Sequence, residues 1–338
     1  MTTVVSILNW NGLNHLKTYL PSVVEHSSIP DVQILLIDNG STDSSCSWVE
    51  ENYPGIKIVN LDKNYGFAGG YNRGLEEVNA DRFVLLNSDV RVTSGWLESV
   101  TKTMSDNDFT ACSPRILNDL SPAEFEYAGA SGGFIDRDGF LFCRGRIFDS
   151  FESAELHKDD LEVFWASGAA LFVDSDAWNE VGGFDEDFFA HMEEIDLCWR
   201  LKNRGLKVGV CGSSNVYHLG GGTLDKSSTQ KVFLNFRNNL VLLLKNKEGV
   251  AFLFTFRRMV LDGIAALRFL IRGEFNYFFS VFRSHLSFYT MIFSTLSKRK
   301  IEKTARKNCS PNLIGVFKSS IIVAYFIKGI KKFSDVDC

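Results

Sequence analysis

Three short apolar runs in the first 90 residues constrain the fold of this chain more than any other feature. They cover residues 4–8, 34–37 and 83–86, are rich in β-branched side chains, and are separated by polar stretches compatible with helix. Runs of this length and composition are typical of buried strands. Because strands that alternate with helices form parallel sheets covered on both faces, we expect an α/β fold with a mainly parallel central sheet.

Polar side chains follow each run, at the point where its strand would end. They belong to Asn9, Asn11, Asp38, Asp43, Asn87 and Asp89. Asn and Asp also form ordinary turns and helix caps. Open α/β sheets, however, bind ligands at the carboxyl ends of their strands, and three successive ends of this type favour a ligand site.

Four ordered motifs resemble those of family 2 glycosyltransferases. They are VSILNWNG at 5–12, DNGSTD at 38–43, NYGFAGGYN at 64–72 and LNSD at 86–89. The resemblance spans about residues 3–245 and is most similar to the rhamnosyltransferase-like branch of bacterial surface-polysaccharide and O-antigen synthesis. It implies a GT-A fold, a nucleotide-diphosphate sugar donor, a divalent metal and inversion at the anomeric carbon.

The donor nucleotide is expected at the first strand ends. Asp38 and Asp43 are placed to accept hydrogen bonds from a pyrimidine base or its ribose, and the resemblance puts Asp38 nearer the base. Gly66 and the glycines after it permit close backbone approach near a helix start, and Asn72 offers a side-chain amide. The predicted donor is a dTDP or UDP sugar.

The divalent cation implied by the resemblance would neutralise the leaving diphosphate. Asp89 supplies an oxygen ligand that suits Mg²⁺ or Mn²⁺. The family usually has Asp at the position of Asn87, so one carboxylate is missing here. His218, in a segment at 216–223 that resembles the metal-binding His of relatives, is the predicted second ligand, and a purely structural His is the alternative.

The general base is expected in the segment at 182–200. A helix is predicted to start near Glu193, and carboxylates in its first turn meet the positive end of the helix dipole. Relatives have Glu-Asp at this position, with the Asp as the proposed base, which favours Glu194 here. Glu193 and Asp196 remain rivals, although Asp196 is also spaced to pair with Arg200.

The acceptor side is expected around residues 165–168 and at Arg237. Trp165, Ser167 and Gly168 lie in a segment that resembles the acceptor lining of the family, and Trp165 offers an aromatic face for a sugar ring. Arg237, in a run that also resembles a family segment, is a candidate for contact with a phosphate of the donor or of a lipid-linked acceptor. Core packing for Trp165 and a structural role for Arg237 are the alternatives.

The chain divides into two parts of opposite charge. Residues 1–230 hold 17 Lys and Arg against 35 Asp and Glu, a net charge of −18, whereas residues 231–338 hold 19 against 6, a net charge of +13. A chain of 338 residues is long enough for one large α/β core with an appendage. We therefore expect a catalytic GT-A domain at 1–230 and a helical region at 231–338.

The basic region is also rich in aromatic residues. Arg residues interrupt each of its apolar runs before the roughly 18 to 20 residues that a spanning helix needs. Aromatic side chains among Arg and Lys favour helices that lie in the headgroup region of an anionic leaflet, and a packed helical domain or a dimer interface is the alternative. The charge alone would suit nucleic acid, but the region has no nucleic-acid-binding motif.

Seven cysteines, an odd number with no C-x-x-C pair, and an N-terminus that starts almost directly with a strand predict reduced thiols in a cytoplasmic protein. The whole pattern predicts an inverting, metal-dependent hexosyltransferase at the inner face of the cell membrane, with rhamnose favoured and a lipid-linked or growing surface glycan as acceptor. A non-catalytic nucleotide-sugar-binding partner subunit of a polysaccharide-assembly complex, or a membrane scaffold, is the alternative. Homo-oligomer formation is compatible with each of these.

Overall fold

The computed structural model describes residues 1–126, 129–220 and 228–337. Within these ranges the strands are β1 (Thr3–Asn9), β2 (Val32–Asp38), β3 (Lys57–Asn60), β4 (Arg82–Asn87), β5 (Val90–Arg91), β6 (Ala111–Asn118), β7 (Gly133–Asp136), β8 (Leu141–Cys143), β9 (Arg146–Ile147), β10 (Ser150–Phe151), β11 (Leu161–Glu162), β12 (Ala170–Asp174), β13 (Val208–His218) and β14 (Val316–Phe317). The α-helices there are α1 (Leu13–Ser27), α2 (Ser45–Asn52), α3 (Gly66–Leu75), α4 (Trp96–Asn107), α5 (Ser175–Val181), α6 (Glu193–Asn203), α7 (Thr229–Asn246), α8 (Ala251–Ile271), α9 (Phe275–Asn308) and α10 (Ile321–Phe326).

The central sheet has the strand order β11-β13-β6-β12-β4-β1-β2-β3, with β5 paired to β13 beside it. β1 is parallel to both β2 and β4, and β2 is parallel to β3. The three predicted strands are β1, β2 and β4, and the predicted α/β fold with a largely parallel sheet is confirmed. In the other half of the sheet, β12 runs antiparallel between β4 and β6, while β6 and β13 are parallel.

The register of this sheet brings the polar strand ends together. Asn9 lies opposite Asp38, and Leu8 lies opposite Asn87. The short strand β5 pairs with the last residues of β13. Because β5 directly follows Asp89, this pairing carries Asp89 to His218, which is 129 positions further along the chain.

Helix α3 lies close against β1 and β2 because glycines line its inner face. A methyl group at Gly74 would lie 2.4 Å from Ile37 Cδ1, and one at Gly70 would lie 2.7 Å from Leu8 Cδ1. A larger side chain at either position would push the helix away from the sheet. The glycines of this segment therefore serve helix–sheet packing.

The part of the chain after residue 230 is mainly helical, as predicted. Helix α7 contributes Leu240 and its apolar neighbours to the same core as Leu197 of α6. Strand β14, which was not predicted, adds in parallel to β7 at the edge of a second sheet with the order β10-β9-β8-β7-β14. None of the helices in the described part of the chain is both long and apolar enough to cross a bilayer. The division into two domains at residue 230 stays a prediction.

Candidate active site

Asp89 and His218 meet at the carboxyl edge of the central sheet. His218 Nε2 lies 3.1 Å from Asp89 Oδ1, and His218 Nδ1 lies 3.7 Å from Glu126 Oε2. Asn87 Nδ2 lies 3.4 Å from the same Nε2 atom. Asp89, Glu126 and His218 are all buried, so the imidazole sits between two carboxylates that water barely reaches. These four residues are called the His218 cluster below.

The carboxylates control the protonation of the ring. Burial alone would lower the pKa of His218, but the charges and hydrogen bonds of Asp89 and Glu126 outweigh it and raise the pKa to about 10. Burial tends to raise the pKa of Asp89, yet the charge of His218 holds that pKa below its ordinary value. At neutral pH a protonated imidazole therefore compensates the acidic side chains around it.

The His218 cluster has ligand atoms of the kind a divalent cation accepts. The Asp89 carboxylate and the His218 imidazole are the two candidates, and the buried Asn87 Oδ1 beside them has no hydrogen-bond partner. Glu126 contacts the opposite nitrogen of the ring, the position of a residue that orients a metal-binding His. In the ranges given above, no three His, Cys, Asp or Glu side chains are grouped to hold a metal ion. Asp89 and His218 are thus the residues that would hold a divalent cation, which would supply positive charge for a diphosphate.

Glu126 is the member of the His218 cluster that the sequence did not reveal. Phe125 forms an isolated antiparallel bridge with Leu117 of β6, and the N–H of Glu126 donates to the Ile116 carbonyl at 3.0 Å. This contact turns the Glu126 side chain toward the end of β13. Nothing in the local sequence marks this residue, because its position depends on a long-range pairing. Residues 221–223, which end the predicted His218 segment, lie outside the described residues.

The first two strand ends form one hydrogen-bonded group. Asn9 Nδ2 donates to Asp38 Oδ1 at 3.0 Å and to Ser45 Oγ at 2.8 Å. Asn11 Oδ1 accepts from the N–H of Asp43 at 3.3 Å, and Asp43 Oδ1 accepts from the N–H of Ser45 at 3.1 Å. Burial tends to raise the pKa of Asp43, but hydrogen bonds from the Ser45 hydroxyl and from the backbone N–H groups of Leu13 and Ser45 lower it. The structure brings the four predicted donor residues of these strand ends together, and their contact with a nucleotide stays a prediction.

Two other predicted donor residues are used by the protein itself, which corrects the prediction for Gly66 and Asn72. Asn72 Nδ2 donates to the Phe184 carbonyl at 2.8 Å, and Asn72 Oδ1 accepts from the Phe184 N–H at 2.9 Å. The Phe189 carbonyl accepts from the N–H of Phe67 at 2.7 Å, at the N-terminus of α3. A methyl group at Gly66, where φ is +74°, would lie 2.5 Å from the Phe189 ring. These residues therefore fasten the segment before α6 rather than face the donor.

Helix α6 starts at Glu193, as predicted, and its first turn holds the three candidate bases. Asp196 is fully buried and accepts from Arg200 Nε at 2.7 Å and from Lys245 Nζ at 2.9 Å. Two cations therefore neutralise Asp196, which explains its burial and makes it a structural residue. Asp196 is corrected to a structural partner, and Glu193 and Glu194 remain as candidates.

Glu193 and Glu194, called the carboxyl pair below, form no ion pair with any Lys, Arg or His that the structure describes. The Oε2 atom of each is buried and has no hydrogen-bond partner. Burial raises the pKa of Glu194 to about 7, and burial together with the charge of Glu194 raises the pKa of Glu193 well above its ordinary value. Burial therefore raises the pKa of both carboxyl groups, and a pKa of about 7 lets Glu194 exchange a proton near neutral pH, as a general base must.

The loop at 185–192 leads directly into α6 and so determines the position of the carboxyl pair. Phe189, His191 and Met192 have φ angles of 63°, 68° and 75°, in a region that non-glycine residues rarely adopt. Asn238 of α7 holds this backbone by donating to three carbonyls at positions 188, 190 and 191, at 2.7 to 3.0 Å. Arg237 Nη2 donates to the carbonyls at 187 and 188. Arg237, predicted to contact a phosphate, is therefore corrected to a residue that positions the loop.

Trp165 lies in the core, which corrects its predicted acceptor role, whereas the acceptor role of the neighbouring Ser167 stays a prediction. Trp165 is 3% exposed, and its Nε1 donates to the Phe134 carbonyl at 3.1 Å. A methyl group at Gly133 would lie 1.9 Å from the indole. Ser167 is 2% exposed. The ring face of Trp165 is thus covered by protein and offers no platform for a sugar.

Gly168 links the carboxyl pair to the His218 cluster. A methyl group at Gly168 would lie 3.3 Å from Glu194 Cβ, so the Glu194 side chain packs directly on this glycine. The carbonyl of the next residue, Ala169, accepts from the N–H of Asn87 at 3.0 Å. Asn87 in turn contacts His218. One continuous series of contacts therefore joins the candidate base to the candidate metal ligands.

Comparison with known proteins points to one family. Residues 4–152 match Glycosyl transferase family 2. The N-acetylglucosaminyl-diphospho-decaprenol L-rhamnosyltransferase of Mycobacterium tuberculosis is 24% identical over 251 residues, which cover 70% of this chain and 81% of that protein. The low-salt glycan biosynthesis hexosyltransferase Agl10 of Haloferax volcanii is 22% identical over 256 residues (72% and 78%), and the rhamnosyltransferase WbbL of Escherichia coli is 20% identical over 210 residues (60% and 79%).

Solved structures agree on the fold. The structure of GalNAc-T7 with UDP, GalNAc and Mn²⁺ superimposes with a TM-score of 0.55 at 16% identity, covering 72% of this chain and 48% of that one. The mannosyltransferase PcManGT from Pyrobaculum calidifontis, in complex with GDP-Man and Mn²⁺, gives a TM-score of 0.52 at 13% identity, covering 89% and 87%. These neighbours are GT-A glycosyltransferases, and the predicted GT-A fold is confirmed.

Proposed function

This chain belongs to glycosyltransferase family 2, and we propose that it moves a sugar, with rhamnose favoured, from a dTDP or UDP donor to a lipid-linked or growing surface glycan, with inversion at the anomeric carbon. The observation that carries the proposal is the series of contacts from Glu194 through Gly168 and Asn87 to His218 and Asp89. It joins a group able to accept a proton to a group able to hold a cation. An inverting transfer needs both, on opposite sides of the reacting carbon.

Glu194 acts on the acceptor in this proposal. Its carboxylate takes the proton of the acceptor hydroxyl as the oxygen attacks the anomeric carbon. The pKa of about 7 leaves a substantial ionised fraction at neutral pH and keeps the base strong enough to accept the proton. Burial and the charge of Glu194 raise the pKa of the neighbouring Glu193, which disfavours a second negative charge beside Glu194.

Asp89 and His218 hold the donor side. Mn²⁺ or Mg²⁺ bound by their side chains would neutralise the charge of the departing diphosphate. Before His218 Nε2 can bind a cation, the ring must give up the proton that it shares with Asp89. Asn9, Asn11, Asp38 and Asp43 are proposed to bind the nucleotide.

The names of the relatives support the proposed sugar and acceptor. Two of the relatives described above are named rhamnosyltransferases, and the mycobacterial name describes an acceptor built on a decaprenyl diphosphate. With a lipid-linked acceptor the chain would act at the membrane, and we propose the cytoplasmic face.

The purified chain should bind a pyrimidine nucleoside diphosphate in a metal-dependent way. Thermal shift assays compare four ligands, each with and without Mn²⁺: UDP, dTDP, GDP and NAD. A ligand at a hundred times its Kd stabilises the folded state by about 2.7 kcal/mol, which is readily measured. A shift with UDP or dTDP that requires Mn²⁺ supports the proposal and selects the donor nucleotide.

Two results would contradict the proposed function. Absence of any shift with a diphosphate would favour the membrane-scaffold alternative. Nucleotide binding without hydrolysis of any UDP or dTDP sugar, even over long incubation, would favour the non-catalytic partner subunit.

A further inference from the structure

Helices α8 and α9 form a hairpin whose polarity is inverted. The side chains that they bury are mostly polar or small, and Thr255, Arg258 and Asp262 of α8 are among them. Arg258 Nε donates to Asp262 Oδ1 at 2.8 Å, and both side chains are buried. His285 of α9 lies 3.5 Å from the other oxygen of Asp262. An ordinary surface helix buries its apolar face instead.

Six apolar side chains of α8 are exposed and form a continuous stripe along the helix. It consists of Leu253, Phe256, Val260, Ile264, Leu267 and Ile271, which are 49% to 78% exposed. Spacings of three and four residues place all six on one face of the helix. Over 18 residues this stripe is about 27 Å long.

Helix α9 has a stripe of the same kind. Phe275, Phe279, Phe282, Leu286, Tyr289 and Phe293 follow the same spacing and are 49% to 84% exposed. Scattered apolar side chains are normal on a protein surface, but six exposed apolar side chains in line on each of two adjacent helices are not scattered, and such surfaces mark interaction sites.

We propose that these two outward stripes dock onto the surface of an anionic lipid bilayer. The charges around the stripes favour this partner. Arg268, Arg272 and Arg283 are exposed on the same hairpin, whereas of its acidic residues Asp262 and Glu302 are buried and Glu274 is half-buried. Between residues 251 and 308, a stretch described without gaps, no acidic side chain is fully exposed. Aromatic and aliphatic side chains flanked by Arg are the composition of helices that lie in the headgroup region.

A second copy of the chain fits this surface less well. In a twofold dimer the same patch meets itself, so the Arg side chains around each stripe would face those of the partner across a surface of low water content. Like charges that face each other in this way cost several kcal/mol. Lipid phosphates instead compensate the same Arg side chains.

The two stripes are the surface that would bring the chain to a lipid-linked acceptor. That the bilayer is the one that carries this acceptor rests on the proposed function. Vesicle binding is measured without donor or acceptor, so its outcome is independent of nucleotide binding. The chain is sedimented with vesicles of phosphatidylcholine alone and with vesicles of phosphatidylcholine and phosphatidylglycerol in equal amounts.

The test compares the unmodified chain with two variants. Phe256→Ser and Phe282→Ser are combined in one, since both side chains are more than half exposed in the stripes. Phe151→Ser is the matched control, because Phe151 is 50% exposed in β10, on the second sheet. Binding to the anionic vesicles should fall about tenfold for each stripe Phe removed, and the control should bind as the unmodified chain does. Thermal unfolding of both variants confirms that they remain folded, as expected for exposed positions.

Three results would overturn the proposal. They are no binding of the unmodified chain to anionic vesicles, equal binding to both vesicle types, and equal loss in the stripe variant and the control. A dimer in sedimentation velocity that the stripe variant abolishes, without vesicle binding, would assign the surface to a second copy instead.

Discussion

The His218 cluster and the carboxyl pair of α6 lie at the same edge of the central sheet, and both are buried and acidic, but only the first contains a cation. In the His218 cluster the imidazole lies between Asp89 and Glu126, so the pKa of the ring is raised and that of Asp89 is lowered. In the carboxyl pair neither glutamate forms an ion pair with a described cation, and the pKa values of both carboxyl groups are raised.

The difference separates two uses of a buried carboxyl group. A carboxylate compensated by a positive charge stays ionised and is ready to exchange a proton on its partner for a metal ion. A carboxyl group without a cation shifts its pKa toward neutrality and becomes a proton acceptor. Asp196, one turn from the carboxyl pair, shows that α6 can compensate a charge where structure requires it, through Arg200 and Lys245.

Of the changes that test this comparison, removal of the Asp89 carboxylate should have the largest effect on sugar transfer. Asp89→Ala leaves His218 without the oxygen at 3.1 Å and removes a candidate metal ligand. Transfer should fall by about a thousandfold or more, because the charge that develops on the diphosphate loses its compensation. The measurement is sugar transfer at saturating donor and Mn²⁺.

The control for this experiment is Asp174→Ala. Asp174 also pairs with a buried Arg, Arg82, but at the opposite end of β4. Near-normal transfer by Asp89→Ala, or equal losses in the two variants, would contradict the metal assignment.

Glu194→Gln should lower turnover by about a hundredfold, while donor affinity stays close to that of the unmodified chain. Gln keeps the shape of the side chain and its packing on Gly168 but cannot accept the proton. Turnover and donor Kd are measured separately, by steady-state kinetics and by titration with the nucleoside diphosphate. Glu193→Gln is the matched variant, one residue away in the same turn, and should retain most of the turnover. If Glu193→Gln is the inactive variant, the base is Glu193.

The smallest expected effect is on stability as a function of pH. The folded-state pKa of Glu194, about 7, lies above its ordinary value of 4.5, so the native chain binds more protons than the unfolded chain between these values. Stability contributed by this group is therefore present at low pH and lost as pH rises through about 7. Glu194→Gln should remove that loss, which is on the order of 1–3 kcal/mol, and be more stable than the unmodified chain at about pH 8 but not at about pH 5. Urea unfolding at several pH values gives the difference, and parallel curves for the two proteins would refute the shifted pKa.

The local order of apolar and polar residues was enough to predict several strands and one helix start. The strands β1, β2 and β4 follow from their apolar runs, and the start of α6 follows from the spacing of apolar residues after Glu193. The resemblance to the family added His218, which the sequence alone would leave as one His after an apolar strand. The structure places it beside Asp89 through the pairing of β5 with β13.

The residues that were misjudged depend on contacts between distant segments. Asn72 and Arg237 carry groups suited to a ligand, but the backbone at 184–188 uses those groups. Trp165 has the ring that a sugar platform needs, but Gly133 lets that ring close against the second sheet. Spacing along the chain carries no information on such competition between a ligand and the protein's own backbone.

Lys298 of α9 forms salt bridges with the loop that precedes the carboxyl pair, so this helix is directly connected to the segment that holds the candidate base. Its Nζ lies 2.5 Å from Asp185 Oδ1 and 2.6 Å from Asp187 Oδ2. Helix α9 runs without a break for 34 residues, about 50 Å, and its exposed stripe ends five residues before Lys298. In a continuous helix of this length, a tilt at one end displaces the other end. If the outer half of α9 docks on a bilayer, as proposed, its angle to that surface sets the distance of the loop and Glu193 from the surface.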